Sequence, residues 1–99
     1  MDIAGKKVLV VGLGKTGEAV AGFLLARGAR VMITESRPEA ALGPAAARWT
    51  ERGAPLEAGG HRLETFLGAD LIVPSPGASS LPELGAARQA GIEVVSETE

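Results

Sequence analysis

The 99-residue sequence has no cysteine, and only 3% of it is aromatic. Lacking cysteine, it excludes disulfides, thiolate metal sites and cysteine nucleophiles. With so few rings, the core must be built mostly from Val, Leu, Ile and Ala, with Phe23, Trp49 and Phe66 as its only large rings. A formal charge of −2 and the lack of a dense basic cluster argue against a general nucleic-acid binder. No apolar run is long enough for a membrane helix. Lys6-Lys7 ahead of an apolar run imitates a signal peptide, but the run is short and ends in glycines followed by Lys15 and Glu18. A cytoplasmic location is therefore expected. There are also no paired carboxylates, no nucleophile with an adjacent base and no metal-ligand spacing, so the chain reads as a binder without reactive machinery.

The sequence does contain Gly12-Leu13-Gly14-Lys15-Thr16-Gly17, placed directly after the apolar run Val8-Leu9-Val10-Val11. A buried strand that breaks into G-x-G-x-x-G and opens a helix grips phosphate in many α/β domains. The first glycine allows the sharp turn, the second lets ligand approach backbone, and the third lets helix and sheet pack closely. The helix start then offers unpaired N–H groups and a positive dipole end, worth about 0.3–1 kcal/mol to an anion. Gly14, Lys15 and Thr16 are the phosphate candidates. Gly14-Lys15-Thr16 also imitates the tail of an ATP-binding P-loop. That motif requires glycine at position 9, where Leu9 stands inside the strand.

Further along, Val20, Phe23 and Leu24 recur at helical spacing, and Gly28 suits a helix end. Arg30 to Thr34 reads as a second strand. Ser36-Arg37-Pro38-Glu39 has capping-box spacing and predicts a helix with Leu42, Ala45, Ala46 and Trp49 on its apolar face, delayed or kinked by Gly43-Pro44. Pro55 to Ala58 is a weak third strand, followed by a short helix from about His61 to Leu67. Asp70 to Val73 reads as a fourth strand. Ser75-Pro76-Gly77 is a stiff loop, and Ser80-Leu81-Pro82-Glu83 is a second capping box opening a helix that ends at Gly91. Ile92 to Val95 is a fifth strand.

Five strands alternating with helices predict an α/β fold, a Rossmann-like doubly wound sheet of five parallel strands in the order 3-2-1-4-5 with helices on both faces. Such a fold brings three loops to one crevice: the glycine turn, Glu35-Ser36-Arg37 after the second strand, and Ser75-Pro76-Gly77 after the fourth. Glu35 stands where these folds place an acid on a ribose hydroxyl. Ser36 competes between ligand and helix cap, and Arg37 between a base, a phosphate and the open surface. His61, the only histidine, reads as structural or exposed rather than catalytic.

Four segments, VLVVGLGKTG (8–17), GARVMITESR (28–37), ADLIVPSPG (69–77) and AGIEVV (90–95), together resemble the N-terminal domain of the D-glutamate-adding Mur ligases of peptidoglycan synthesis. The similarity runs over nearly the whole chain, and its most discriminating piece is the SPG loop. It implies one UDP-binding domain over residues 1–99, the first of three in a monomeric ligase. In that family the glycine turn takes the UDP pyrophosphate, here at Lys15 and Thr16. The segment after the second strand surrounds the uracil, here at Glu35, Ser36 and Arg37, and the SPG loop closes over the nucleotide, here at Ser75, Pro76 and Gly77. Relatives often carry aspartate where this chain has Glu35 and threonine where it has Ser36. The family's substrate is UDP-MurNAc-L-alanine. ATP phosphorylates its L-alanyl carboxylate, and the D-glutamate amine attacks the acyl phosphate. ATP, Mg²⁺ and D-glutamate are held by the two domains that would follow Glu99, so this chain is expected to bind no cofactor and to be inactive by itself.

Two other readings share the glycine turn. One is the cofactor half of an NAD(P)-dependent oxidoreductase, with Glu35 on the adenosine ribose or Arg37 on a 2′-phosphate. The other is a non-catalytic nucleotide-sensing module.

Overall fold

A computed structural model describes residues 3–78 and 80–95. β1 (Lys7–Val11) leads through the glycine turn into α1 (Lys15–Ala26), and β2 (Arg30–Glu35) follows. Two short helices, α2 (Glu39–Leu42) and α3 (Ala45–Glu51), precede β3 (Leu56–Ala58). Next come α4 (Leu63–Leu67), β4 (Leu71–Pro74), a 3₁₀ turn (Pro76–Ala78), α5 (Pro82–Gln89) and β5 (Glu93–Val94). The five strands form one parallel sheet in the order β3-β2-β1-β4-β5, the topology expected from the alternation of strands and helices.

β1 lies at the centre because it is apolar on both sides. Val8 and Val10 pack with Val31, Ile33, Ala21, Leu24 and Trp49 beneath α1 and α3. Leu9 and Val11 join Ile72, Phe66, Leu84 and Ala87 beneath α4 and α5. Alternate residues of one strand thus feed two cores, as a doubly covered parallel sheet requires.

Several local expectations change. Phe23 is not a core ring: it is 53% exposed, with the Arg27 guanidinium 3.8 Å from its ring centre. The inward positions of α1 are Gly17, Ala21 and Leu24, one face at spacings of three and four. Neither predicted capping box forms. The cap positions are Pro38 and Leu81, and no side chain bonds to the helix start at either. Pro82 forces the residue before it into extended backbone, so Leu81 (ψ 133°) takes the cap from Ser80. Ser36 instead leans its hydroxyl onto the Glu35 carboxylate, 3.4 Å away. Gly43-Pro44 does more than kink the second helix. Gly43 at φ +61° and the missing proline N–H split it into α2 and α3. β5 keeps only two of its four expected residues.

Candidate nucleotide-binding site

The site is built where β1, β2 and β4 end. Gly12, at φ +98°, turns the chain off β1 and donates its N–H to the Thr34 carbonyl at 2.8 Å, tying the turn to β2. On the other side β4 ends in Pro74, and the next residue, Ser75, continues the parallel ladder by donating its N–H to the Val11 carbonyl at 2.9 Å. The glycine turn and the SPG loop are therefore fastened to each other through the last residue of β1. Ser75 lies so close to Gly12 that a Cβ there would run into its hydroxyl.

The three glycines have separate tasks. A Cβ on Gly17 would collide with the Gly12 carbonyl oxygen, so the third glycine exists for close approach. Gly14 faces open space with nothing within 4 Å of a Cβ. It begins α1 in extended backbone (φ −100°, ψ −166°), and its carbonyl accepts from Glu18 N–H at 2.9 Å. Gly14, Lys15 and Thr16 are exposed. The first-turn N–H groups therefore face solvent without intrahelical partners, as an anion site needs.

At the end of β2, the Glu35 side chain turns inward. It is 7% exposed and accepts Leu13 N–H at 2.7 Å, Arg37 N–H at 2.9 Å and Arg37 Nε at 3.0 Å. Arg37 Nη2 also donates to the Leu13 carbonyl at 2.9 Å, so Leu13, Glu35 and Arg37 form one clamp across the glycine turn. Burial pushes the Glu35 carboxyl up. The hydrogen bonds from Arg37 and Leu13, with the nearby guanidinium charge, outweigh it and hold the pKa at about 2. Arg37 keeps half of its side chain exposed while pinned at its fork.

Between these loops lies a cleft of about 240 Å³ walled by Val11, Gly12, Glu35, Ser36, His61 and Ser75, with Ala78 and Leu81 closing it. Of the predicted residues it gathers Glu35, Ser36 and Ser75. Thr16 and Pro76 line a second hollow of about 160 Å³ on the α1 side of the SPG loop. Gly14, Lys15 and Arg37 stand outside both walls. A roomier hollow of about 640 Å³ touches none of these residues. It lies against Lys7 and Arg30, where β1 and β2 begin, and against Met32 and α4, where the sheet face is thinly covered. Ligands of open α/β sheets bind at the carboxyl ends of strands, so the smaller cleft is the candidate.

His61 was not among the predicted ligand residues, yet its ring lines the cleft. Its Nδ1 is 2.8 Å from Thr34 Oγ1, which donates to Glu57 Oε2 at 2.8 Å. Glu57 also accepts Thr65 Oγ1 at 2.6 Å and Arg62 N–H at 3.0 Å. Burial raises the Glu57 carboxyl, but these bonds outweigh it and leave its pKa lowered. The signal available in the sequence was the Gly59-Gly60 turn, which brings the chain after β3 back over the end of β2. Among the described residues no group of His, Asp and Glu is arranged to hold a metal ion. No helix of the described residues is long and apolar enough to cross a membrane.

Residues 6–96 match the family model described as "Mur ligase MurD-like, N-terminal domain". The chain belongs to the MurD-like N-terminal domain family. Among its relatives is the UDP-N-acetylmuramoylalanine--D-glutamate ligase of Desulfatibacillum aliphaticivorans, 47% identical over the whole of this chain. The enzyme of the same name from Pelobacter propionicus is 50% identical over the same span. The chain spans 22% of the length of each. Among solved structures, a pseudomurein peptide ligase type C from Methanothermus fervidus superposes with a TM-score of 0.73 at 24% identity, over 92% of this chain and 19% of that one. That likeness establishes the fold. Membership of the MurD-like family disfavours the dehydrogenase reading, which gained little from the sequence beyond the glycine turn.

Proposed function

We propose that this chain is the UDP-binding domain of a ligase that adds D-glutamate to UDP-N-acetylmuramoyl-L-alanine. The observation that carries the reading is the family match over residues 6–96, joined to a cleft at the carboxyl ends of β1, β2 and β4. Gly14, Lys15 and Thr16 hold the pyrophosphate at the start of α1. Glu35, Ser36 and Arg37 shape the uridine side, with Glu35 acting through the Leu13 and Arg37 groups it fixes. Ser75, Pro76 and Gly77 form the facing wall. In this reading residues 1–99 are one domain of a cytoplasmic, monomeric enzyme. ATP, Mg²⁺ and D-glutamate belong to parts of the ligase outside these residues, and the chain alone anchors substrate without turning it over.

The test is an NMR titration of the chain with UDP, UMP, NAD and NADP. Saturable shifts at Lys15, Thr16, Arg37 and Gly77 with UDP, absent with NAD and NADP, are the expected outcome. Saturable NAD binding with UDP silent overturns the reading.

A further inference from the structure

The His61 ring is held in one orientation by a chain of donors whose direction can be worked out. Glu57 Oε2 accepts the Arg62 N–H, a group that can only donate, and Glu57 is held in its ionised form by its three donors. A carboxylate only accepts, so the single proton of the Thr34 hydroxyl goes to Glu57. Thr34 Oγ1 then has lone pairs alone to offer at 2.8 Å from His61 Nδ1, and Nδ1 must carry the imidazole proton. In the neutral ring this leaves Nε2 as an acceptor.

Among the described residues no protein group pairs with Nε2. The buried side-chain polar atoms without partners are Trp49 Nε1 and Glu83 Oε1, so His61 Nε2 is not sealed inside the protein. The ring stands edge-on to Phe66, with centroids 5.9 Å apart, and lines the cleft beside Glu35, Ser36 and Ser75. Phe66 is wholly buried and braces one side of the imidazole.

Resting on the uridine-nucleotide reading above, we propose that His61 Nε2 is a specificity-determining acceptor for the imide N3–H of uracil. The chemistry discriminates between pyrimidines. Uracil presents a donor at N3, whereas cytosine presents a lone pair there. An acceptor fixed in the cleft wall bonds the first and repels the second. A site built around a fixed acceptor rejects a ligand that leaves it unpaired. Thr34 and Glu57 act as positioning residues, fixing the tautomer from behind.

Two measurements test this. A long-range proton–nitrogen correlation spectrum of the unliganded chain, recorded at about pH 8, should show the Nδ1–H tautomer. An Nε2–H tautomer overturns the inference whatever the chain binds. The second measurement compares UDP and CDP binding by the wild-type chain and by His61→Asn. The asparagine amide replaces Nδ1 as donor to Thr34 and leaves nothing at the Nε2 position. UDP affinity should fall about 3–10-fold, the worth of one hydrogen bond, while CDP affinity holds or rises because the repelling acceptor is gone, with the thermal midpoint retained. Equal losses for UDP and CDP, or no loss for either, overturn the inference and leave the proposed function standing. A wild-type chain that binds no UDP overturns both.

Discussion

The Glu35 carboxylate reaches 22 residues back along the chain to accept the Leu13 N–H at 2.7 Å. That bond fastens the middle of the glycine turn to the end of β2, and Arg37 closes the ring by returning to the Leu13 carbonyl. A turn meant to receive a multiply charged ligand must hold its N–H groups in place before the ligand arrives. Here an ionised, buried acid does so. The acid carries its own counter-charge in Arg37, which keeps negative potential from spreading over the start of α1.

Replacing Glu35 with Gln should therefore destabilise the fold as well as the site. The new amide turns an NH₂ towards the Arg37 donors, and the expected loss is about 2–4 kcal/mol at neutral pH. The wild-type pH profile follows from the same group. Its folded pKa of about 2 lies below the ordinary value of 4.5, so the unfolded chain binds more protons between the two. The stabilisation is complete above the ordinary value and drains away as pH falls towards the folded one, by up to about 3 kcal/mol. Urea unfolding followed by the single, buried Trp49 at neutral and acid pH checks both. The Glu35→Gln variant should show a weaker acid dependence, to which Glu57, whose pKa is shifted in the same direction, still contributes.

The sheet was legible because β1 and β4 are continuous apolar runs, and a strand apolar on both sides has only one place in a two-faced sheet. The direction of a single helical residue was harder to read. Phe23 falls beside Val20 and Leu24 in spacing, but α1 is turned so that Ala21 and Gly17 meet the strands and Phe23 looks outward. Helix starts were misplaced where prolines decided them, since the backbone restriction before Pro82 outweighs the preference of Ser80 for a cap.

Phe66 and Phe23 should consequently differ sharply on truncation. Phe66 is wholly buried between β1, β4 and α5, and Phe66→Ala should cost about 3–5 kcal/mol, enough to leave a domain of this size barely folded. Phe23→Ala removes an exposed ring and one guanidinium contact, for less than about 1 kcal/mol. Thermal melts of the two variants are the measurement, and comparable losses would contradict the burial described above.

Of the candidate site, the glycine turn and the SPG loop were legible as chain segments because each sits at the end of an apolar strand. Their meeting at one crevice was legible from the strand order, but the bond that fastens them, from the Ser75 N–H to the Val11 carbonyl, was not, since it depends on the β1–β4 register. The inward use of Glu35 was also hidden, because Leu13, its partner across the glycine turn, is brought near only by the parallel pairing of β1 and β2. His61 joins the cleft through Thr34 and Glu57, neighbours in the β2–β3 register and 23 residues apart in the chain.

Gly14 and Gly17 separate ligand binding from folding, although both belong to one motif. Gly17→Ala drives a methyl into the Gly12 carbonyl, and neither the turn nor α1 can yield without parting from β1. The expected cost is at least about 2 kcal/mol, read as a lowered melting temperature. Gly14→Ala meets nothing within 4 Å, and its backbone angles suit any residue. Stability should change by less than about 1 kcal/mol. The same methyl would stand where the proposed pyrophosphate must approach the exposed N–H groups, so UDP affinity should fall at least about 10-fold. Melting curves paired with UDP titrations of the two variants make the comparison. If Gly14→Ala binds UDP as tightly as the wild-type chain, the start of α1 is not the phosphate grip, whatever its likeness to one.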